Sequence, residues 1–450
     1  MTVAVVGGGI SGLSAAYELS KGGREVILLE RSARPGGVIL TDEVQGFLIE
    51  GGPDCLYTEK PWAIELAKEL GLSQELIPPR EDRRGTFILW RRRLHRLPDG
   101  FLLLVPTDLR SFLRTGLLSP WGKMRAMLEP FMPFRGQRED ESVAEFVLRR
   151  LGREILERIA DPLIGGIYGG DPEKLSAEAI IPRFRELERR NRSLMRGLSK
   201  GIPGRRGPSL PFLSFRKGMY QLVEGLLGAL PAEGILLEHG VEAIEPTKDG
   251  FLLYGSSWRI EAEKVILAIP SYEASRLLRG PFPDLSGLLS RIRFVSSVPL
   301  SMAFREGDVG GIEGHGFVVP RKEGLRIRAV SFSSEKFPAR APEGTVLLRV
   351  FLGGAGDEEV LELDDREILE LSLRELSTVL TVKAPPFLWR LYRWPMRMVH
   401  MAVGHKGLVS EIRARVGKIP GLYIAGSSYD GIGIGDCVRS GREAARDAMS

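Results

Sequence analysis

The stretch TVAVVGGGISGLSAAYEL at residues 2–19 decides the fold. Residues 3–6 form a short apolar run suited to a strand buried on both faces, and residues 14–19 are helix-forming. Between them lies Gly7-x-Gly9-x-x-Gly12, in the strand, turn, helix context that marks a dinucleotide-binding turn. Gly7 permits the tight turn, Gly9 lets a pyrophosphate approach the backbone, and Gly12 lets the helix pack closely on the strand. The first helical amides, at Ile10 and Ser11, then face the phosphate.

Working outward, EVILLE at 25–30 reads as a second strand ending at Glu30, whose carboxylate is placed to accept from ribose hydroxyls. RSARPGG follows at once and puts Arg34, Gly36 and Gly37 where a second phosphate-side loop forms. FLIEGGPD at 47–54 adds Gly51 and Gly52, with Pro53 and Asp54, beside a strand end. GVEAIEP at 240–246, with Val241, and KVILAIPS at 264–271 read as further strands. Much later, GLYIAGSSYDGIGIGDCVRSGREAA at 421–445 gives strand, glycine turn and helix, with Gly426, Ile432, Gly433 and Ile434 in the turn. A chain that returns there to build a second glycine-lined turn encloses a long, extended cofactor, which favours FAD over NAD.

Composition bounds the rest. With 450 residues the chain exceeds one compact core, so two or three domains are expected. Apolar residues at 43% and charged residues at 27% exclude a disordered chain. Two cysteines, Cys55 and Cys437, make no disulfide framework and fit no zinc motif, which suggests a reducing, intracellular compartment. No HExxH occurs, and His400 and His405 are one residue beyond helical i, i+4 pairing, so no metal is expected. The apolar VAVV starts at residue 3, leaving no signal peptide, and runs such as FLLLV at 101–105 are far short of the roughly 20 residues that span a bilayer.

FLIEGGPDC, RLHRLPDG at 93–100, PLIGGIYGGDPEKLSAEA at 162–179, FRKGMYQLVEGL at 215–226 and the carboxy-terminal stretch, in this order, resemble the flavoprotein protoporphyrinogen oxidases and their coproporphyrinogen-oxidising relatives, within the amine oxidase and phytoene desaturase superfamily. The resemblance implies an α/β fold: a Rossmann-like FAD-binding domain of glutathione reductase type, a mixed-sheet substrate domain and a mainly helical membrane-associating insertion. The FAD-binding domain is expected from 1–80, 215–270 and 400–450, the substrate domain from 81–95 and 271–399, the insertion from 96–196, and a linker from 197–214. It also implies noncovalent FAD, a porphyrinogen substrate, molecular oxygen as acceptor with hydrogen peroxide as product, and no catalytic side chain. A porphyrinogen loses six electrons and a flavin accepts two at a time, so the protein's part is to hold the macrocycle and exclude water. A cytoplasmic enzyme, peripheral on the inner face of the cell membrane, follows from the resemblance, and a homodimer is compatible with it.

GHGFVVP at 314–320 is similar to the family's segment lining the macrocycle, which nominates Gly316 and Val318, with His315 where an aromatic is often found. Phe351 stands where the family packs an apolar side chain near the ring. One departure concerns the substrate carboxylates. Eukaryotic members place a propionate-pairing arginine where this chain has Thr86, with Arg83, Arg84, Arg91, Arg92 and Arg93 nearby in sequence. Protoporphyrinogen IX is favoured over coproporphyrinogen III, because a bilayer-dipping insertion suits a poorly soluble substrate; a flavin amine oxidase or carotenoid desaturase is the more distant alternative.

Within the insertion, Ser119 and Pro120 open a helix that sets Trp121, Met124, Leu128 and Phe131 or Met132 near one face; the pattern by itself favours a core stripe, and the family resemblance is what implies a membrane surface. From Arg183 to Lys217 eleven basic residues face only two acidic ones, Glu186 and Glu188, an excess that calls for an anionic neighbour such as lipid headgroups or substrate carboxylates. Nucleic acid is excluded as a partner, since no aromatic interleaving accompanies the charge.

Overall fold

Val3, Ala4, Val5 and Val6 are buried. Their strand, Thr2–Val6, accordingly lies in the middle of a five-stranded sheet, where a run apolar on both faces belongs. In this computed structural model, which describes residues 2–83, 85–97, 101–102, 105–106, 109–134, 140–199 and 212–450, the sheet order is Ile235–Leu236, Glu25–Leu29, Thr2–Val6, Lys264–Leu267 and Leu422–Ile424. All four pairings are parallel.

Helix Ile10–Lys21 packs on this sheet beside helix Ile434–Met449. The two run in the same direction. A Cβ on Gly441 would collide with the Ser11 carbonyl, Arg442 and Arg446 donate to Glu18 at 2.8 and 2.7 Å, and Gly22 abuts the Met449 sulfur. Both helical N-termini therefore lie at one edge, beyond the carboxyl ends of the strands, where open α/β sheets bind their ligands.

An antiparallel meander, Ala243–Pro246, Phe251–Tyr254 and Arg259–Ala262, is inserted between the third and fourth sheet strands in chain order. Val241, expected on a strand, lies just before it: the carbonyls of Val241 and Glu242 accept from Arg276, each at 3.0 Å.

The second large sheet has eight strands and contains the long strands Arg293–Arg305 and Thr345–Gly353. Next to these come Ala329–Phe332, Gly316–Val318, Thr86–Trp90 and Arg93–Arg96. One face is apolar: Phe317, Val330, Val350 and Leu300 stand in register across four strands and pack with Ile368 and Leu376 of helix Asp365–Leu376. The region 271–399 is thus not strands alone, since helices Ser271–Leu278 and Pro283–Leu289 also fall in it.

Helices dominate between Leu109 and Ser199, beginning later than residue 96, because Arg93–Arg96 pairs with Thr86–Trp90 as a hairpin. Its turn places Arg91 and Arg92 at φ of 53° and 60°, and the Glu323 carboxylate accepts from both amides, at 2.6 and 3.2 Å. Those contacts hold two non-glycine residues in the left-handed region. Ser119 caps helix Pro120–Met127 by accepting from the Gly122 amide at 3.1 Å, with Pro120 in the first turn, as the sequence predicts.

The first part of the basic run is answered by the protein's own carboxylates. Arg185 pairs with Glu141, Glu178 and Glu188, Arg189 with Glu178, Arg190 with Glu186 and Arg183 with Glu59. Most of the positive charge between Arg183 and Arg190 is therefore neutralised by the protein's own carboxylates. Beneath them Arg150 and Glu129, both at 0% exposure, form an ion pair, and Glu129 also accepts from the Ser193 hydroxyl at 2.6 Å and the Leu194 amide at 2.9 Å. A buried pair with its remaining lone pairs satisfied in this way is costly to break. Lys200, Arg205, Arg206 and Arg84 lie outside the described residues, as do the side chains of FLLLV.

Candidate active site

Gly7 sits at φ +105°, and a Cβ there would come within 2.7 Å of the Ala268 carbonyl oxygen, so the turn requires glycine. Gly12 is equally closed, its Cβ position occupied by the Gly7 carbonyl. Gly9 is the opposite: nothing lies within 4 Å of a Cβ built on it. As the N-cap of the first helix it provides no side-chain cap, so the amides of Ile10 and Ser11 point to an open approach.

The second glycine loop lies alongside the first. The Gly36 amide donates to the Gly8 carbonyl at 2.7 Å, Gly9 and Gly36 form an isolated parallel bridge, and Gly37 approaches the Gly9 Cα. Arg34 holds this loop in shape, donating to the carbonyls of Pro35, Gly37 and Ile39 at 2.9, 2.6 and 2.8 Å. Its guanidinium is thereby largely committed to backbone.

Glu30 follows the second strand directly. Its Oε2 accepts from the Gly8 amide at 2.7 Å and its Oε1 from the Ser32 amide and hydroxyl at 2.9 and 2.7 Å, which leaves Oε2 with a free lone pair. The segment carrying Val241 runs beside it, with the His239 amide donating to the Glu30 carbonyl at 2.8 Å.

At the other helical N-terminus Gly433 is the cap and Ile434 the first residue, while Asp436 pairs with Lys60. Gly426, at φ +124°, donates to the Ser440 hydroxyl at 3.0 Å, and a Cβ on it would meet only Ser11 Oγ at 3.9 Å. Ile432 is half-buried between these glycines. Two helix N-termini and three glycine loops are thus brought to one place. A pyrophosphate fits against Gly9, and a ribose fits the free lone pair of Glu30.

The Gly51–Asp54 segment leads from these loops to the second sheet. Trp394 Nε1 donates to the Gly51 carbonyl at 2.7 Å, and Arg349 donates to the Gly52 carbonyl. Past Pro53, Asp54 accepts from Lys336 at 2.8 Å. Burial alone would raise the Asp54 carboxyl, but Lys336 and Arg349 outweigh it and hold the group well below the usual range. Burial and the Asp54 charge push the neighbouring Cys55 thiol up to about 12. At Glu50 burial prevails: it pushes the carboxyl up to about 7, against hydrogen bonds from Thr41 at 2.7 Å and the Met219 amide at 2.8 Å and the charges of Arg340 and Arg349.

On the sheet face opposite the apolar one, Gly316 pairs with Ser331 and Ser331 with Arg349, while Val318 pairs with Ala329 and Ala329 with Phe351. The residues nominated from sequence, Gly316, Val318 and Phe351, therefore share one face across three adjacent strands. Helix Asp161–Tyr168 approaches the same face, since a Cβ on Gly166 would touch Val318 at 3.1 Å and Ala329 at 3.5 Å. Ser331 Oγ and Arg349 Nε are buried there with no hydrogen-bond partner among the described residues. Such atoms suit a ligand that is apolar in its body and polar at its rim.

Sequence reasoning missed Arg349 and Lys336, which carry no local motif; only strand alternation beside Phe351 signals the former. Of the arginines it offered for the Thr86 departure, Arg91, Arg92 and Arg93 lie at the hairpin end by Glu323, and Arg83 pairs with Glu335 at 3.2 Å.

Residues 10–449 match the profile of the flavin containing amine oxidoreductases. The chain belongs to this family. Within it, the chain is 34% identical to a Bacillus subtilis protein named coproporphyrinogen III oxidase, covering 100% of this chain and 98% of that one. It is 31% identical to the chloroplastic protoporphyrinogen oxidase of Oryza sativa subsp. japonica, over 98% of this chain and 87% of that one. A crystal structure of an Exiguobacterium protein provisionally named a protoporphyrinogen oxidase superposes with a TM-score of 0.88 at 30% identity, covering 99% and 98% of the two chains. The resemblance seen in the sequence motifs is therefore one of family, and the family's cofactor, FAD, is the cofactor here. FAD supplies two-electron acceptance at its ring. The chain's own glycine loops and helix N-termini leave the open approach at Gly9 described above, and the Gly51–Asp54 segment links them to the second sheet.

Proposed function

We propose that this protein catalyses the FAD-dependent, oxygen-using oxidation of coproporphyrinogen III to coproporphyrin III, with three molecules of oxygen reduced to three of hydrogen peroxide as six electrons leave the macrocycle. The observation that carries the reading is full-length similarity to bacterial proteins of that name, at 34% and 31% identity, joined to a substrate face that is apolar at Val318, Ala329 and Phe351 and cationic at Arg349. The FAD is held noncovalently, with the residues named above for the pyrophosphate and ribose as its contacts and those named for the macrocycle as contacts of the substrate.

Protoporphyrinogen IX, favoured from sequence alone, is the second reading. It gains support from the helical region, where Trp121 and Phe131 are each 75% exposed and Met124 and Leu128 are exposed beside them, an apolar surface suited to a bilayer that stores a poorly soluble substrate. On either reading the enzyme is cytoplasmic and peripheral, and attaches through this apolar surface together with the basic residues beyond the internally paired 183–190 stretch. No described helix is long and apolar enough to cross a membrane.

Separate supply of the two porphyrinogens under oxygen, read by porphyrin fluorescence, decides between them. A higher kcat/KM for coproporphyrinogen III is expected. The reverse order selects the second reading, and no turnover of either defeats both.

A further inference from the structure

The second sheet turns three cations toward the cofactor-binding segments. Arg349 donates to the Gly52 carbonyl, Lys336 pairs with Asp54 at 2.8 Å, and Arg340 donates to Ser214 Oγ and to the carbonyls of Phe215 and Arg216 at 2.9, 2.8 and 3.2 Å. Arg340 and Arg349 are each 2% exposed, and Lys336 is largely buried. The Ser214 hydroxyl donates in turn to the Asp54 carbonyl at 2.7 Å, which gathers these contacts behind one stretch of backbone.

Their counter-charges are fewer. Asp54 and Glu50 face the cations, together with the Cys55 thiol and the Tyr392 phenol, both of which burial keeps protonated. Glu335, beside Lys336 in the chain, is taken by Arg83 at 3.2 Å. Three cations thus meet two carboxyls, and burial pushes one of those, Glu50, up to about 7. A buried surplus of positive charge is costly unless an anion answers it. Arg349 Nε, buried with no hydrogen-bond partner among the described residues, is the unanswered donor of the cluster.

Hydride transfer requires the flavin ring to meet its substrate, so a cofactor held at Gly9 and Glu30 brings its ring along Gly51–Asp54 to the face that carries Arg349. Uptake of a hydride adds two electrons and one proton, which leaves the ring with one more negative charge. We propose that Arg349, backed by Lys336 and Arg340, is the electrostatic receptor for the negative charge that the flavin ring gains with each hydride. This rests on FAD and on the substrate face described above, and not on which porphyrinogen is oxidised. Direct contact with the ring is not required, because a charge acts at a distance in a poorly solvated site.

The test uses holoenzyme and no porphyrinogen. The two-electron potential of bound FAD is measured anaerobically at pH 8 against reference dyes, with FAD content checked, and the pH at which the reduced flavin takes up a further proton is read from its near-ultraviolet absorbance. Arg349→Met should disfavour the reduced flavin by about 10- to 100-fold, lowering the potential by about 30–60 mV. It should also raise the pH of that proton uptake by about one to two units. Arg349→Lys, which keeps the charge, should recover most of the loss. Glu50→Gln removes a counter-charge and should move the potential the other way, upward. No shift in Arg349→Met, an equal loss in Arg349→Lys, or a downward shift in Glu50→Gln overturns the receptor. If Arg349→Met sheds its FAD, Glu50→Gln decides alone, and a potential equal to wild type there overturns it. A wild type that oxidises neither porphyrinogen defeats the functional reading, while these potentials still decide the receptor.

Discussion

Arg349, on the substrate face of the second sheet, donates to the carbonyl of Gly52, in the segment that leads from the glycine loops, while its guanidinium lies 4.7 Å from the Phe351 ring centroid. One side chain thus fixes the spacing between the cofactor-binding segment and the face opposite it. Arg349→Met would fill similar volume but leave the Gly52 carbonyl unpaired and Asp54 with Lys336 alone. The expected cost is about 1–3 kcal/mol of stability, with weakened FAD retention, checked by thermal unfolding and by flavin released on gel filtration. Retention equal to wild type would separate the arginine from the cofactor segment.

Glu30→Ala removes the acceptor offered to the ribose together with the hold on the Gly8 and Ser32 amides. FAD affinity should fall by about 1–3 kcal/mol, measured by flavin fluorescence on dilution. Acid should release the flavin intact from wild type, and a flavin that stays with the denatured chain contradicts noncovalent binding.

Glu50 gives a pH signature. Its folded-state value is raised to about 7 from the ordinary 4.5, so the native state holds a proton between these values that the unfolded chain has lost. Stability contributed by the neutral carboxyl is full below about 4.5 and is lost as pH rises through about 7. Glu50→Gln stays neutral throughout. Its stability relative to wild type should therefore be higher at pH 8 than at pH 5, by an amount on the order of 3 kcal/mol. A difference that does not change with pH would show that the carboxyl titrates normally.

The proposed membrane attachment uses exposed apolar side chains, whose contribution is insensitive to screening. At 1 M salt the Debye length is about 3 Å, so wild type should still pellet with vesicles there, and Trp121→Ser combined with Phe131→Ser should abolish the salt-resistant fraction. Binding that salt removes entirely would return the role to basic side chains.

What was legible in the sequence was what backbone sterics write locally. Gly7, Gly9 and Gly12 lie in one strand, turn, helix unit whose spacing is read along the chain, and Ser119 with Pro120 in the first turn of one helix. Gly316, Val318 and Phe351 were nominated from motifs, but their common face depends on register across strands joined by long connections. Arg349 was invisible because the meaning of an arginine lies in which groups reach it, here the Gly52 carbonyl and the Asp54 carboxylate from distant segments. The same reason hid the internal pairing of part of the basic run: Glu141 and Glu178, which answer Arg185 and Arg189, come from other segments.

The pairing of helix Ile10–Lys21 with helix Ile434–Met449 has a consequence for biogenesis. Glu18 meets Arg442 and Arg446 across more than four hundred intervening residues, and the strand Leu422–Ile424 closes the edge of the sheet that begins with Thr2–Val6. During synthesis the amino-terminal strands are not paired at that edge until residues 422–449 have been made. The pyrophosphate cradle is complete only then, so FAD capture follows the folding of this late segment, and flavin scarcity would leave an incompletely closed domain exposed to chaperones and proteases.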